Sequence, residues 1–169
     1  MIPEYKLFHG AVLADMIDRA EFSITISELT EEGRLLNYVI NDDVALHIRY
    51  ATQRLRPWGF NFTSAQMLEL DRIQGLHSAT FLALVCRTDG ILITEWADVR
   101  TSLTINGSEQ AWLRADRRKR EKYRLFGPQG EFPRRFAITT APLVAHLRSR
   151  RSRENLNNFA PHATLNATS

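Results

Sequence analysis

The sequence predicts an α+β fold: a mixed, largely antiparallel sheet of about five to seven strands with two main helices packed on it. Three observations predict it. Apolar residues at helical spacing open the chain, strictly alternating residues follow them, and an almost continuously apolar run lies near the middle.

Leu7, Phe8, Ala11, Val12, Met16 and Ile17 recur at helical spacing, with Asp15, Asp18 and Arg19 off that stripe, which predicts a helix from about 5 to 20. Phe22 to Ser27 alternates apolar and polar, the pattern of a half-buried strand. Leu35–Ile40 and Val44–Ala51 read as two more strands around Asn41-Asp42, a pair that tolerates the positive φ of a tight antiparallel hairpin. Thr63-Ser-Ala-Gln66 fits a capping box opening a second helix. Met67, Leu70 and Ile73 form its buried stripe and Gly75 its stop. Thr80 to Cys86 is apolar enough for a central strand covered on both faces. Asp89-Gly90 then turns the chain into a strand over Ile91–Trp96, and Asp98 heads a helical turn through Leu103. Two readings stay open for 111–126. Ala111–Lys122 suits a charged helix, whereas Tyr123 to Phe126 followed by Gly-Pro-Gln-Gly130 suits a strand and turn.

With 169 residues, 44% apolar and 24% charged, the chain is expected to form a single domain over 1–137. Residues 138–169 are expected to be a basic, disordered tail, because the closing Asn-, Thr- and Ala-rich stretch has little apolar surface to bury. No run approaches the ~18 apolar residues of a membrane span, so no membrane association is expected. The opening MIPEYKLFHG lacks a basic region followed by an apolar one, so no secretory signal is expected. One cysteine, Cys86, supports neither an internal disulfide nor a cysteine-based zinc site. A cytoplasmic location without cofactor is the expectation.

Charge divides unevenly. Residues 1–110 carry 9 Lys/Arg against 15 Asp/Glu, and residues 111–169 carry 13 against 4. Such asymmetry suggests a basic segment that meets a polyanion or an acidic protein; the plainer reading is a solvated basic face. Arg114, Arg117, Arg118, Lys119, Arg120, Lys122 and Arg124 lie within eleven positions and are the leading candidates for phosphate contact. Arg54, Arg56 and Trp58 form a second candidate group in a loop before the second helix. The tryptophan would stack on a base, or else Trp58, Phe60 and Phe62 would anchor the loop in the core. His47 and Arg49 share one face of a strand. With a two-residue turn they would oppose Leu36 and Arg34, and a cluster of Arg34, Tyr38, His47 and Arg49 would suit a phosphate or carboxylate. Cys86 ends a buried strand and reads as a small core residue. The five histidines show no metal-ligand spacing, and there is no Gly-rich phosphate loop.

The order α-β-β-β-α-β over about residues 5–96 resembles the core of the restriction-endonuclease-like superfamily, the PD-(D/E)xK nucleases. The resemblance implies a hairpin that presents one acid, then an acid-x-lysine pair, to a divalent metal. At the matching strand, Val44-Ala-Leu-His-Ile-Arg-Tyr50, this chain carries His47 and Arg49. Histidine is a poor Mg²⁺ ligand and arginine cannot act as a base, so the resemblance implies scaffold more than cutting activity. An active Mg²⁺ nuclease would have to use Glu28 or Asp43 in an unusual arrangement. Tyr50–Phe62 and Leu84–Gly90 also resemble small bacterial proteins of unassigned function. The expected function is binding of DNA or RNA through phosphates. The alternative is an accessory module docking on an acidic protein partner.

Overall fold

The computed structural model describes residues 1–29, 37–105, 108–109 and 111–160. Arg34, Leu35, Leu36 and the last nine residues of the expected tail lie outside the described residues.

Helix α1 (Glu4–Arg19) buries Val12, Met16 and His9 along one stripe, and an Arg19–Asp15 pair at 2.9 Å crosses one turn of its surface. A meander follows: β1 (Ile26–Leu29), β2 (Asn37–Ile40) and β3 (Val44–Tyr50). The strand predicted over 22–27 therefore begins late. Residues 22–25 do alternate half-buried and exposed, but β2 ends at Ile40 and pairs with nothing before Ile26. Beyond one backbone bond from the Asn41 amide to the Thr25 carbonyl at 2.9 Å, the alternation there reflects side-chain burial and not strand pairing.

Asn41 and Asp42 do turn the chain, with φ of 53° and 56°. Ile40 opposes Val44, so the loop has three residues (41–43), and every pairing moves by one from the two-residue expectation. His47 opposes Asn37 instead of Leu36, and Tyr38 opposes Leu46 on the other face of the sheet. The expected cluster of Tyr38 with His47 and Arg49 is therefore not formed.

The next strand, β4 (Trp58–Asn61), leaves this sheet for another. Helix α2 (Ser64–Leu76) starts with the predicted capping box: Thr63 Oγ1 accepts from the Gln66 amide at 3.2 Å, and Gln66 Oε1 accepts from the Thr63 amide at 3.0 Å. It runs through Gly75 rather than stopping there. Strand β5 (Ala79–Val85) lies parallel to β3, and β6 (Ile91–Glu95) lies antiparallel to β5, giving a five-stranded sheet of order β1-β2-β3-β5-β6. All seven residues of β5 are buried, as expected of a central strand. Helix α3 (Trp96–Arg100) and a 3₁₀ turn (Thr101–Leu103) follow, then the short hairpin of β7 (Thr104–Ile105) and β8 (Ser108–Glu109).

The open segment resolves as strand. β9 (Trp112–Asp116), β10 (Arg124–Gly127) and β11 (Gly130–Glu131) join β4 in a four-stranded antiparallel sheet of order β11-β10-β9-β4. Trp112 to Asp116 alternates in burial, with Leu113 and Ala115 inside. That alternation outweighs the helical reading of its charge.

The tail expectation needs correction over 141–158. These residues form α4 (Ala141–Asn158), which buries Leu143, Val144 and Leu147 against the sheet face that α1 also covers. Its start is fixed by Asp15, whose Oδ2 accepts from the Thr140 hydroxyl at 2.6 Å and the Thr140 amide at 2.9 Å. Partial burial would raise the Asp15 carboxyl, but the bonds from Thr140 and Arg19 outweigh it and hold it below the usual range. The sheet is thus covered twice: by α1 and α4 on one face, and by α2, α3 and the four-stranded sheet on the other.

Candidate nucleic-acid interface

Strand β3 buries its histidine and holds its half-buried arginine against the protein. His47 is 2% exposed, and its Nδ1 lies 2.7 Å from Asn37 Oδ1. Burial, with the nearby Arg49 and His9 charges, lowers its pKa to about 3, so the ring is neutral at physiological pH. Arg49 donates to the Asn61 carbonyl and lies 4.9 Å from the centre of the Phe62 ring. This guanidinium ties β3 to β4 and is directed into the protein, not outward to a phosphate. Asp43, at the turn, pairs with Arg150 on α4. Among the described residues no group of three or more His, Cys, Asp or Glu is placed to hold a metal ion.

Trp58 belongs to the core. It is 5% exposed and meets the Tyr123 ring edge-on at 6.1 Å, so it offers no face to a base. The segment read as a loop is a strand from Trp58 onward, with Trp58 and Phe60 inward and Phe62 buried just beyond. Arg54 and Arg56 precede it and are exposed; Arg56 donates to Asp116 at 3.0 Å.

The basic run divides in two. Arg117 is engaged internally: its guanidinium grips the Asp89 carboxylate at 2.6 and 2.9 Å and lies 5.3 Å from the Tyr123 ring. The Asp89 bond holds its pKa above the ordinary arginine value. The Tyr123 hydroxyl donates to the same carboxylate at 2.5 Å, closing a half-buried lock between the β5–β6 turn and the second sheet. Gly90 is required beside it, because a Cβ there would lie 2.8 Å from the Tyr123 hydroxyl and 2.9 Å from the Ile138 carbonyl. Cys86 lies in the same neighbourhood, its thiol pushed by burial up to about 12 and so unreactive.

Arg118, Lys119, Arg120 and Lys122, by contrast, are exposed on the loop joining β9 to β10. The Glu121 amide bonds to the Arg118 carbonyl at 3.0 Å, and Arg120 takes a φ of 70°, so a tight turn projects the cluster. Arg114 and Arg124 stand on the outer face of the sheet itself, 5.4 Å from the Trp112 ring and 4.9 Å from the Phe126 ring. Arg124 also makes a two-pronged bond to Glu131, at 2.9 Å on each oxygen, and Arg135 binds the same carboxylate at 2.9 Å. These two cations lower the Glu131 pKa to about 2. Residues 111–137 carry nine basic and three acidic side chains. Asp116 and Glu131 are paired on this face, so a positive surplus remains.

The arrangement joins residues that sequence reasoning took separately and adds some it missed. Register places Asn61 opposite Trp112, and Gly59 opposite Arg114, on the outer face where β4 meets β9. Trp112 and Phe126 are half-buried there. The signal was present in the alternation of Trp112-Leu-Arg-Ala-Asp116, whose even positions share a face once the segment is strand. Comparison of the chain with protein-family models, curated proteins and solved structures returned no match.

Proposed function

We propose that this protein binds nucleic acid through the basic β9–β10 hairpin and the adjoining sheet face, and does not cut it. One observation carries the reading: Arg118, Lys119, Arg120 and Lys122 are all exposed on one turn, continuous with the sheet face that bears Arg114 and Arg124. Clustered cations on a rigid hairpin suit a run of phosphates. The element order of the five-stranded sheet and its helices supports a nuclease-like scaffold, since a helix, a three-stranded meander, a helix and a parallel return strand follow one another apart from β4, which joins the second sheet. His47 and Arg49 at the matching positions supply neither a carboxylate nor a base, which supports a role without hydrolysis. No helix among the described residues is long and apolar enough to cross a membrane. A nucleic-acid partner and a buried free thiol at Cys86 both suit the cytoplasm.

The test is binding titrated against salt, with duplex DNA, single-stranded DNA and RNA. Replacing Arg118, Lys119 and Arg120 together by Ala should weaken affinity. It should also flatten the log-affinity against log-salt slope by roughly 0.9 for each duplex phosphate no longer neutralised, or about 0.7 on a single strand. An unchanged slope would remove the hairpin from the interface. Tight binding to an acidic protein, with no nucleic-acid complex at about 50 mM salt, would assign the hairpin to a protein partner.

A further inference from the structure

We propose that the outer face of the four-stranded sheet receives an unpaired nucleobase in the cleft between Trp112 and Gln53, so that the protein selects single strands over duplex. This rests on the nucleic-acid reading above and names its substrate class.

The cleft has a volume of about 420 Å³, the scale of a small-ligand site. Gln53, Pro57, Gly59, Asn61, Trp112 and Arg114 are among the residues that line it. Four of these stand on two adjacent cross-strand pairs, Gly59 opposite Arg114 and Asn61 opposite Trp112, so the strands hold them in fixed register. A Cβ at Gly59 would lie 3.3 Å from Gln53 Nε2, so any side chain there would displace the Gln53 amide. The Gly59 amide donates to Gln53 Oε1 at 3.4 Å, which anchors that side chain over the strand and leaves its NH₂ group as a donor.

The lining chemistry matches one kind of ligand. The Arg114 guanidinium lies over the Trp112 ring at 5.4 Å, so the two form one layered planar surface of the type on which a base extends the stack. Gln53 and Asn61 supply amide donors and acceptors that fit the edge of a base. Both features require a base whose face and pairing edge are free, which a duplex does not offer. The exposed cations of the neighbouring hairpin supply the charge that holds the backbone.

The experiment measures binding of a labelled 12-nucleotide single strand, the matching duplex and a free nucleoside monophosphate at matched salt concentrations, titrated upward from about 50 mM. Intrinsic fluorescence gives a second readout, because Trp58 and Trp96 are buried and quenching by ligand reports on Trp112. The expected result is single-strand binding at least about tenfold tighter than duplex, with quenching. Trp112→Ala should lose about tenfold, the scale of one base–aromatic stack. Gly59→Val should lose a similar factor by displacing the Gln53 amide, and both variants should keep the wild-type salt slope and thermal unfolding midpoint. Equal affinity for duplex, or two folded variants that bind the single strand like wild type, would overturn this inference while the phosphate reading stands. Free nucleotide bound as tightly as the strand would overturn it in favour of a mononucleotide site. Binding to none of these at about 50 mM salt would overturn both readings.

Discussion

Asp89 receives three donors from two residues: both prongs of Arg117 and the Tyr123 hydroxyl. Tyr123 is fully buried, and burial raises its pKa, so it stays a donor. Tyr123→Phe should cost about 1–3 kcal/mol in urea unfolding, because it removes a short bond to a charged acceptor. No change in midpoint would show that Arg117 alone satisfies the carboxylate. Charge read along the chain could not separate Arg117 from Arg118. Asp89 lies 28 residues away, and only the packing of the second sheet on the β5–β6 turn brings them together. His47 makes the second residue-scale prediction. Its folded pKa, about 3, lies below the ordinary 6.5, so the unfolded chain takes up a proton first as pH falls. The stability this group supports is complete above about pH 6.5. It falls by roughly 1.4 kcal/mol per pH unit as pH drops from about 6.5 toward about 3. Denaturation from pH 7 to 4 should show a steeper loss in wild type than in His47→Asn. Equal slopes would place the titration elsewhere.

At the scale of elements, those with one strong local cause were legible. The capping box fixed where α2 begins, and uninterrupted apolar character marked β5. Elements defined by a distant partner were not. β4 was hidden because Arg54 to Phe62 has turn-like Pro and Gly, and its partner β9 lies more than fifty residues on. α4 was hidden because one apolar stripe of Leu143, Val144 and Leu147 sits in a strongly basic segment. Packing that stripe on the sheet outweighs the low apolar content of the rest. Leu84→Ala and Leu143→Ala should therefore each cost about 2–5 kcal/mol, through reduced burial plus a residual cavity. Near-zero loss at Leu143 with normal loss at Leu84 would show α4 to be dispensable.

For the whole molecule, the sequence conveyed the α+β class and the basic second half but not the division into two sheets. The candidate interface was half legible: its cations stood out as a run, while its aromatic and amide residues became neighbours only through the β4–β9 register. The same layout argues against metal-dependent cleavage. His47 is sealed in, Arg49 is bonded to a backbone carbonyl, and Asp43 is paired with Arg150. Purified protein should not cut DNA or RNA with Mg²⁺ or Mn²⁺. Cleavage that disappears in Asp43→Ala, with the fold intact, would reverse that conclusion.

The bond from Asp15 to Thr140 joins residues 125 positions apart. On the ribosome, α1 and all five strands of the five-stranded sheet are made long before α4, which completes the cover on their shared face. Until then, apolar side chains such as Phe81 and Ile93 lack part of their packing, and the growing chain is a natural client for chaperones. A released chain ending at residue 140 should stay bound to such chaperones, whereas one released with α4 complete should leave them folded.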